Sequence, residues 1–482
     1  MTSSTISAAQ AGRPTLLGRA VDRPSLAQVA RVLALVATAA LAAHFWETPE
    51  SRASVLMIAA TVLWALDVVP DYVVALGVVV VWNIGKVGPS AASLSGFASP
   101  VWFLLLGVLA VGGGLARSGV LQRVAFALLS LFPATFCGQV VAFLVGGLVT
   151  TPFLPLTVAR CALMAPLARQ VAGVLGYPAR SREAVGIGLA AFVGSGLLSR
   201  VFLSGATLNL IAWSLLPASA RLGWWKWALA GAPMMLVVAL GALGAILLMY
   251  RPADDRPIER DVIRRQRDAS GPFTFREHAA GMTAAAVLIG FVAGPWLGID
   301  GAWVACLGAM VLTLTGVLSR EQFRQSIDWP LLVFLGVILG MPAMIHQAGV
   351  DGQLERVLPP LVAWAQGSPG WTLTVLFAIV TAARFVLSEW VAVPLLTATL
   401  LPLAPTVGLH PWIVAFVVLC ASNLWALPYQ FASYLAFWSG SDGELFAHDQ
   451  VRAFSIVYLV LSLGGILISI PVWRLLGFVS SP

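Results

Sequence analysis

Apolar windows of about 20 residues, the length that carries a helix across bilayer hydrocarbon, recur along this chain with only short polar segments between them. In the first half they predict spans near residues 26–45, 53–69, 72–82, 101–116, 183–201 (continuing brokenly to 216) and 227–250, with an amphipathic arm at 121–131. In the second half they predict spans near 278–297, 302–318, 329–347, 411–427 (continuing brokenly to 438) and 454–476. Two further apolar regions, 136–174 and 371–404, are interrupted by Pro152, Pro155 and Pro166 and by Pro394 and Pro402. Proline removes a backbone donor and breaks a helix, so each region reads as a helical hairpin with an irregular tip.

The polar segments set the topology. Stretch 251–277 holds seven arginines against six acids and reads as a cytoplasmic linker. Residues 1–25 carry Arg13, Arg19 and Arg23 without a short apolar core and cleavage site, so the first span is expected to be an uncleaved anchor with a cytoplasmic N-terminus. Six spans before the linker put both arginine-rich segments on one side. The halves also resemble each other: Leu106-Gly107-Val108 followed by Ser118-Gly119-Val120 matches Leu335-Gly336-Val337 followed by Ala348-Gly349-Val350, and Pro166-Leu167-Ala168 matches Pro402-Leu403-Ala404. Five spans per half after the first invert the second copy, an arrangement typical of secondary transporters. The expected fold is an all-α polytopic membrane protein with eleven transmembrane helices, two re-entrant hairpins and two inverted repeats. Its parts are a tail at 1–25, the first span and repeat at 26–250, a linker at 251–277 and the second repeat at 278–482.

Composition agrees: 59% of residues are hydrophobic and 10% charged, and mean hydropathy is +0.90. Soluble domains carry roughly 25% charged residues, so lipid is the solvent and a soluble multidomain enzyme is excluded. The net charge of +7 lies in the segments between spans, which reports topology and implies no nucleic-acid partner. Cys137, Cys161, Cys306 and Cys420 stand singly in apolar surroundings, without metal-ligand spacing, and read as small buried hydrophobes. Gly112-Gly113-Gly114 allows close helix approach and has no Walker-type context. Neither a metal, nor a cofactor, nor an enzymatic constellation is expected.

Specific strings then resemble the divalent anion/sodium symporter family, which carries dicarboxylates, citrate or sulfate. These are AATVLWALDVVP at 59–70, SGFASPVWFLLLGVLAVGGGLARS at 95–118 with its counterpart at 328–349, FLSGATLN at 202–209 and LPYQFASYLAFW at 427–438. The resemblance implies a scaffold that dimerises, a transport part that moves like an elevator, and an arm at 121–131 joining them. It also implies a Ser-Asn-Thr signature at each hairpin tip, holding substrate carboxylate and sodium. Here Leu156-Thr157-Val158 and Ala392-Val393-Pro394 stand at those positions. Five of the six lack a polar side chain, and sodium wants oxygen ligands, so sodium coupling through the tips is not expected from side chains alone.

The remaining polar chemistry supplies the candidates. Arg160 follows the first tip, and its fork suits a carboxylate; the alternative is an arginine that snorkels or pairs with an acid. Thr157, Thr207 and Asn209 from the first repeat, and Gln430 and Ser433 from the second, are candidate substrate donors or, equally, interhelical hydrogen bonds. Arg384, Ser388 and Glu389 approach the second tip, with Arg384 and Glu389 expected to neutralise one another or other buried charges. Glu389, with Ser388 beside it, is the candidate for proton coupling, since burial raises a carboxyl's pKa. Asp67 and Asp71 flank Pro70 and read as caps. The expected function is secondary transport of a small organic anion, di- or monocarboxylate-like, across the inner (plasma) membrane, as a homodimer in the lipid bilayer with Na+ or H+ as coupling ion. A larger or less charged anion than a plain dicarboxylate is expected at so apolar a site. The second reading is a diverged, non-transporting sensor or scaffold on the same fold.

Overall fold

The computed structural model describes residues 48–65, 69–253, 271–349 and 368–479. The expected tail, the first span, most of the linker and Asp67 lie outside these residues. Within them the chain is an all-α polytopic membrane protein: seven helices are long and apolar enough to cross a membrane, and six more apolar helices are 10–17 residues long. The principal helices of the first half are α1 (Pro49–Ala65), α2 (Asp71–Ile84), α3 (Pro100–Ser118), α4 (Val120–Leu131), α5 (Phe136–Thr150), α6 (Thr157–Val174), α7 (Arg182–Ser195), α8 (Thr207–Leu215) and α9 (Trp224–Tyr250). Those of the second half are α10 (Phe275–Leu297), α11 (Gly301–Leu314), α12 (Trp329–Gln347), α13 (Pro369–Ala383), α14 (Glu389–Leu400), α15 (Pro411–Ala421), α16 (Ala432–Gly440) and α17 (Arg452–Leu475).

Local chemistry marks the boundaries. Ser99, Thr135 and Ser181 each accept a backbone N–H of the first turn of the helix that follows, and Thr274 forms a capping box with Glu277. Gly119, at φ 86°, turns α3 sharply into the arm α4. Both proline-interrupted regions divide into two helices, α5 and α6 and α13 and α14, and both long spans break as expected, between α7 and α8 and between α15 and α16.

The second tip is a correction. It occupies residues 384–388, so Ala392-Val393-Pro394 lies inside α14, one turn beyond its start. Ser388 stands at the N-cap of α14, and the Ala392 N–H bonds the Ser388 carbonyl. The helix is thus under way before Pro394, whose missing donor forfeits a single intrahelical bond.

Packing does not follow the halves of the chain. One body combines α1, α2 and α3 with α10, α11 and α12; the other combines α5 to α9 with α13 to α17. The arm α4 is one covalent link from the first body to the second. In the second body α5 and α7 touch backbone to backbone: a Cβ on Gly147 would stand 2.2 Å from the Gly194 carbonyl carbon.

Candidate functional site

The hairpin tips and helix breaks expose main-chain carbonyls that no helix satisfies, and in an apolar interior each needs a donor. Two buried arginines supply them. Arg160, 1% exposed, donates from Nε to the Ser195 carbonyl at the end of α7 (2.5 Å), from Nη1 to the Leu154 carbonyl in the first tip, and from Nη2 to the Gly205 carbonyl at the exit of the break (3.1 Å). Arg384, also 1% exposed, repeats the pattern atom for atom. Its Nε donates to the Ser422 carbonyl just past α15 (3.0 Å), its Nη1 to the Leu387 carbonyl in the second tip, and its Nη2 to the Gln430 carbonyl at the exit of that break. The two arginines stand on opposite sides of their tips in sequence, Arg160 after and Arg384 before. Each therefore fastens a tip to the broken helix of its own half. The first tip is further held by the Thr207 N–H on the Pro155 carbonyl (3.1 Å) and the Ser204 hydroxyl on the Pro152 carbonyl (3.0 Å). Gly205 is needed in this break, since a Cβ there would stand 2.2 Å from the Ser199 carbonyl oxygen.

A third arginine joins the halves. Arg200, 2% exposed in the break after α7, donates through Nε and Nη2 to Asn423 Oδ1 (3.2 and 2.7 Å), through Nη1 to Asn209 Oδ1 (3.1 Å), and through Nη2 to Glu389 Oε1 (2.5 Å). Glu389 is thus ion-paired across the halves with Arg200, whereas the three hydrogen bonds given above for Arg384 all end on carbonyls. Asn209 is fully turned inward: its Nδ2 donates to the Ser199 and Phe202 carbonyls. Asn423 donates in turn to the Tyr458 hydroxyl (3.2 Å).

The first tip, both breaks and the start of α14 converge on one cavity. Its walls are residues 155–158 of the first tip, Arg200 and 206–208 of the first break, Glu389 and Trp390, and 431–433 of the second break. Of the residues singled out from sequence, Thr157, Thr207, Glu389 and Ser433 line it. Arg160, Asn209, Gln430 and Ser388 are not on its wall: Arg160 and Asn209 satisfy the break, the Gln430 side-chain oxygen accepts the Leu427 N–H (2.8 Å), and Ser388 is exposed at the α14 N-cap. The cation on the wall is Arg200, which the sequence reading passed over. The signal was present, since Arg200 interrupts the same kind of apolar run that drew attention to Arg160.

The cavity leaves about 50 Å³, room for a few waters and far below the roughly 300–1,000 Å³ of small-molecule pockets. The charged residues on its wall are Arg200 and Glu389, while the buried Arg160 and Arg384 hold carbonyls at the tips and breaks. Among the described residues no group of three or more His, Cys, Asp or Glu side chains is placed to hold a metal.

The chain is similar to known proteins over most of its length. A family model described as a citrate transporter matches residues 61–421. Dicarboxylate transporter 1, chloroplastic, of Arabidopsis thaliana is 24% identical over 374 residues, 72% of this chain and 65% of its own length. Inner membrane protein YbhI of Escherichia coli (strain K12) is 24% identical over 324 residues, covering 65% and 67%. The match thus spans just under two thirds of the plant relative. A solved structure of Neisseria gonorrhoeae MtrF, described among a class of antimetabolite efflux pumps, superposes with a TM-score of 0.52 at 11% identity, covering 88% of this chain and 95% of that one. At that identity it speaks for the fold alone.

Proposed function

The chain belongs to the citrate transporter family, and from that membership and the arginine on the cavity wall we propose that it is a secondary transporter of small organic dianions, dicarboxylates first, in the inner membrane. The carrying observation is the buried Arg200 guanidinium on the wall of a cavity built from the first tip, both breaks and the start of α14. A guanidinium fork suits a carboxylate, and a dicarboxylate brings one to that place. Arg200 on the wall moves the expectation toward a plain dicarboxylate and away from a less charged anion, while Thr157, Thr207 and Ser433 offer neutral donors and Trp390 and Phe431 a hydrocarbon wall.

The same geometry supports transport without sodium. Clusters of carbonyl oxygens are what a bare cation would seek, and here the two clusters at the tips are each occupied by a guanidinium. These tethered cations do not leave, so the proposed cycle is exchange of one anion for another or is driven by protons. It also supports motion as a body. Each tip is fastened to its break by charge-assisted bonds worth about 1.5–3 kcal/mol apiece, so swinging a tip open alone is expensive, whereas sliding the α5–α9 and α13–α17 body past the other keeps all of them. Counter-flow in proteoliposomes is the test. Labelled succinate is expected to enter vesicles preloaded with unlabelled succinate at the same rate in sodium and in choline buffer. No gradient-driven or exchange uptake of any tested anion would favour the sensor or scaffold reading, and a strict sodium requirement would defeat the tethered-cation reading.

A further inference from the structure

We propose that Glu389 is a built-in carboxylate that holds the substrate's place on Arg200, and that transported anions dock by displacing it. The inference rests on the reading of the chain as a carboxylate transporter and names the residue that anchors its substrate. Arg200 has five N–H donors; the four bonds described above use Nε, both donors of Nη2 and one of Nη1. Its amide partners, Asn209 and Asn423, orient the guanidinium without neutralising it. Glu389 alone among those partners carries charge, and it reaches Arg200 from the opposite half of the chain, at the start of α14. Both residues line the cavity, so an anion that enters it meets the pair.

Chemical economy points the same way. A guanidinium fork is best satisfied by a carboxylate in two parallel bonds, and Glu389 supplies one oxygen to one nitrogen. A substrate carboxylate that takes Nη2 and the remaining Nη1 donor satisfies the fork fully. Glu389 is then released toward Thr157, Thr207 and Ser433 on the cavity wall or toward the Arg384 end of α14. The tips of the two halves are each fastened to their own breaks, so this seam is where space for a ligand opens. An intramolecular competitor lowers apparent affinity by the fraction of time it vacates the site.

The test is equilibrium binding of succinate to purified protein, read by calorimetry, for wild type, Glu389→Gln and the double variant Arg200→Gln/Glu389→Gln. Removing the competitor is expected to tighten succinate binding by about tenfold or more, corresponding to roughly 1.4 kcal/mol. The double variant keeps the wild-type net charge but has no anchor, and it is expected to lose binding. Unchanged affinity in Glu389→Gln, or wild-type affinity in the double variant, overturns the proposal. Should Glu389→Gln not fold, Glu389→Asp, which keeps the charge and shortens its reach, carries the test. A rise of a few-fold is then expected, and no rise overturns the proposal. Wild-type protein that exchanges succinate while these variants bind it unchanged sinks the place-holder alone; wild-type protein that exchanges no anion sinks the transport reading beneath it.

Discussion

Arg200 and Glu389 form an ion pair whose partners are 2% and 7% exposed, and the consequence of such burial is asymmetric. Truncating one member leaves the other charged and unpaired, at about 3–5 kcal/mol, whereas removing both charges together is close to neutral. Arg200→Gln alone is therefore expected to lower the thermal unfolding midpoint in detergent sharply, and Arg200→Gln/Glu389→Gln to recover most of the loss. Equal losses in single and double variants would mean that the pair does not carry the coupling assigned to it. Gly205 gives a second residue-scale prediction. Its Cβ position lies 2.2 Å from the Ser199 carbonyl oxygen, and its own carbonyl accepts from Arg160. Gly205→Ala must push the break apart and is expected to cost about 1–3 kcal/mol of stability, read in the same unfolding experiment. Which arginine would face the cavity could not be read from sequence. Arg160, Arg200 and Arg384 each interrupt an apolar run, and only the fold turns two of them onto carbonyls and one onto the seam.

The arm α4 is held to the opposite half by Arg123 as well as by apolar packing of Val120 and Leu121. Arg123 is ion-paired with Glu277 in the first turn of α10, and donates to the Gly271 and Pro272 carbonyls (2.6 and 3.2 Å) ahead of that helix. Such partly buried, charge-assisted contacts stabilise by about 1.5–3 kcal/mol. Arg123→Ala is accordingly expected to lower stability by that order and to slow succinate exchange several-fold with little change in the concentration at half-maximal rate, because the arm links the two bodies and Arg123 is not on the cavity wall. A change in half-saturation with an unchanged rate would remove the arm from the transport cycle. Elements of this kind were legible in advance: the arm, the division of both proline-interrupted regions and both broken spans follow from apolar periodicity and proline. The second tip was misplaced, because Pro394 looked like the breaker while the Ser388 N-cap had already started α14. Proline within a buried helix forfeits one bond, and neighbouring packing absorbs that, so its position alone does not locate a tip.

The grouping of helices into two bodies is a property of the whole molecule that no local pattern carries, because each body draws on both halves of the chain. Where the bodies meet beside the first tip, the small gap is lined by Val108 and Val111 of α3, by Pro152, Phe153 and Pro155, and by Ala284, Val287, Leu288 and Phe291 of α10. Every one of these side chains is apolar. An interface without directional bonds gives up little when it slides, whereas the tips and breaks within the moving body are tied by buried arginines. The contrast predicts where a cross-link stops transport. With the four native cysteines replaced, Phe153→Cys and Val287→Cys place thiols on the two sides of this gap. Bridging them with a mercuric ion is expected to abolish succinate exchange, and a thiol reductant to restore it, while each single variant exchanges normally with or without mercury. Exchange that continues at full rate in the bridged protein would mean that the first tip stays fixed against α10 through the cycle, and the anion would then have to pass by local opening at the Arg200–Glu389 seam.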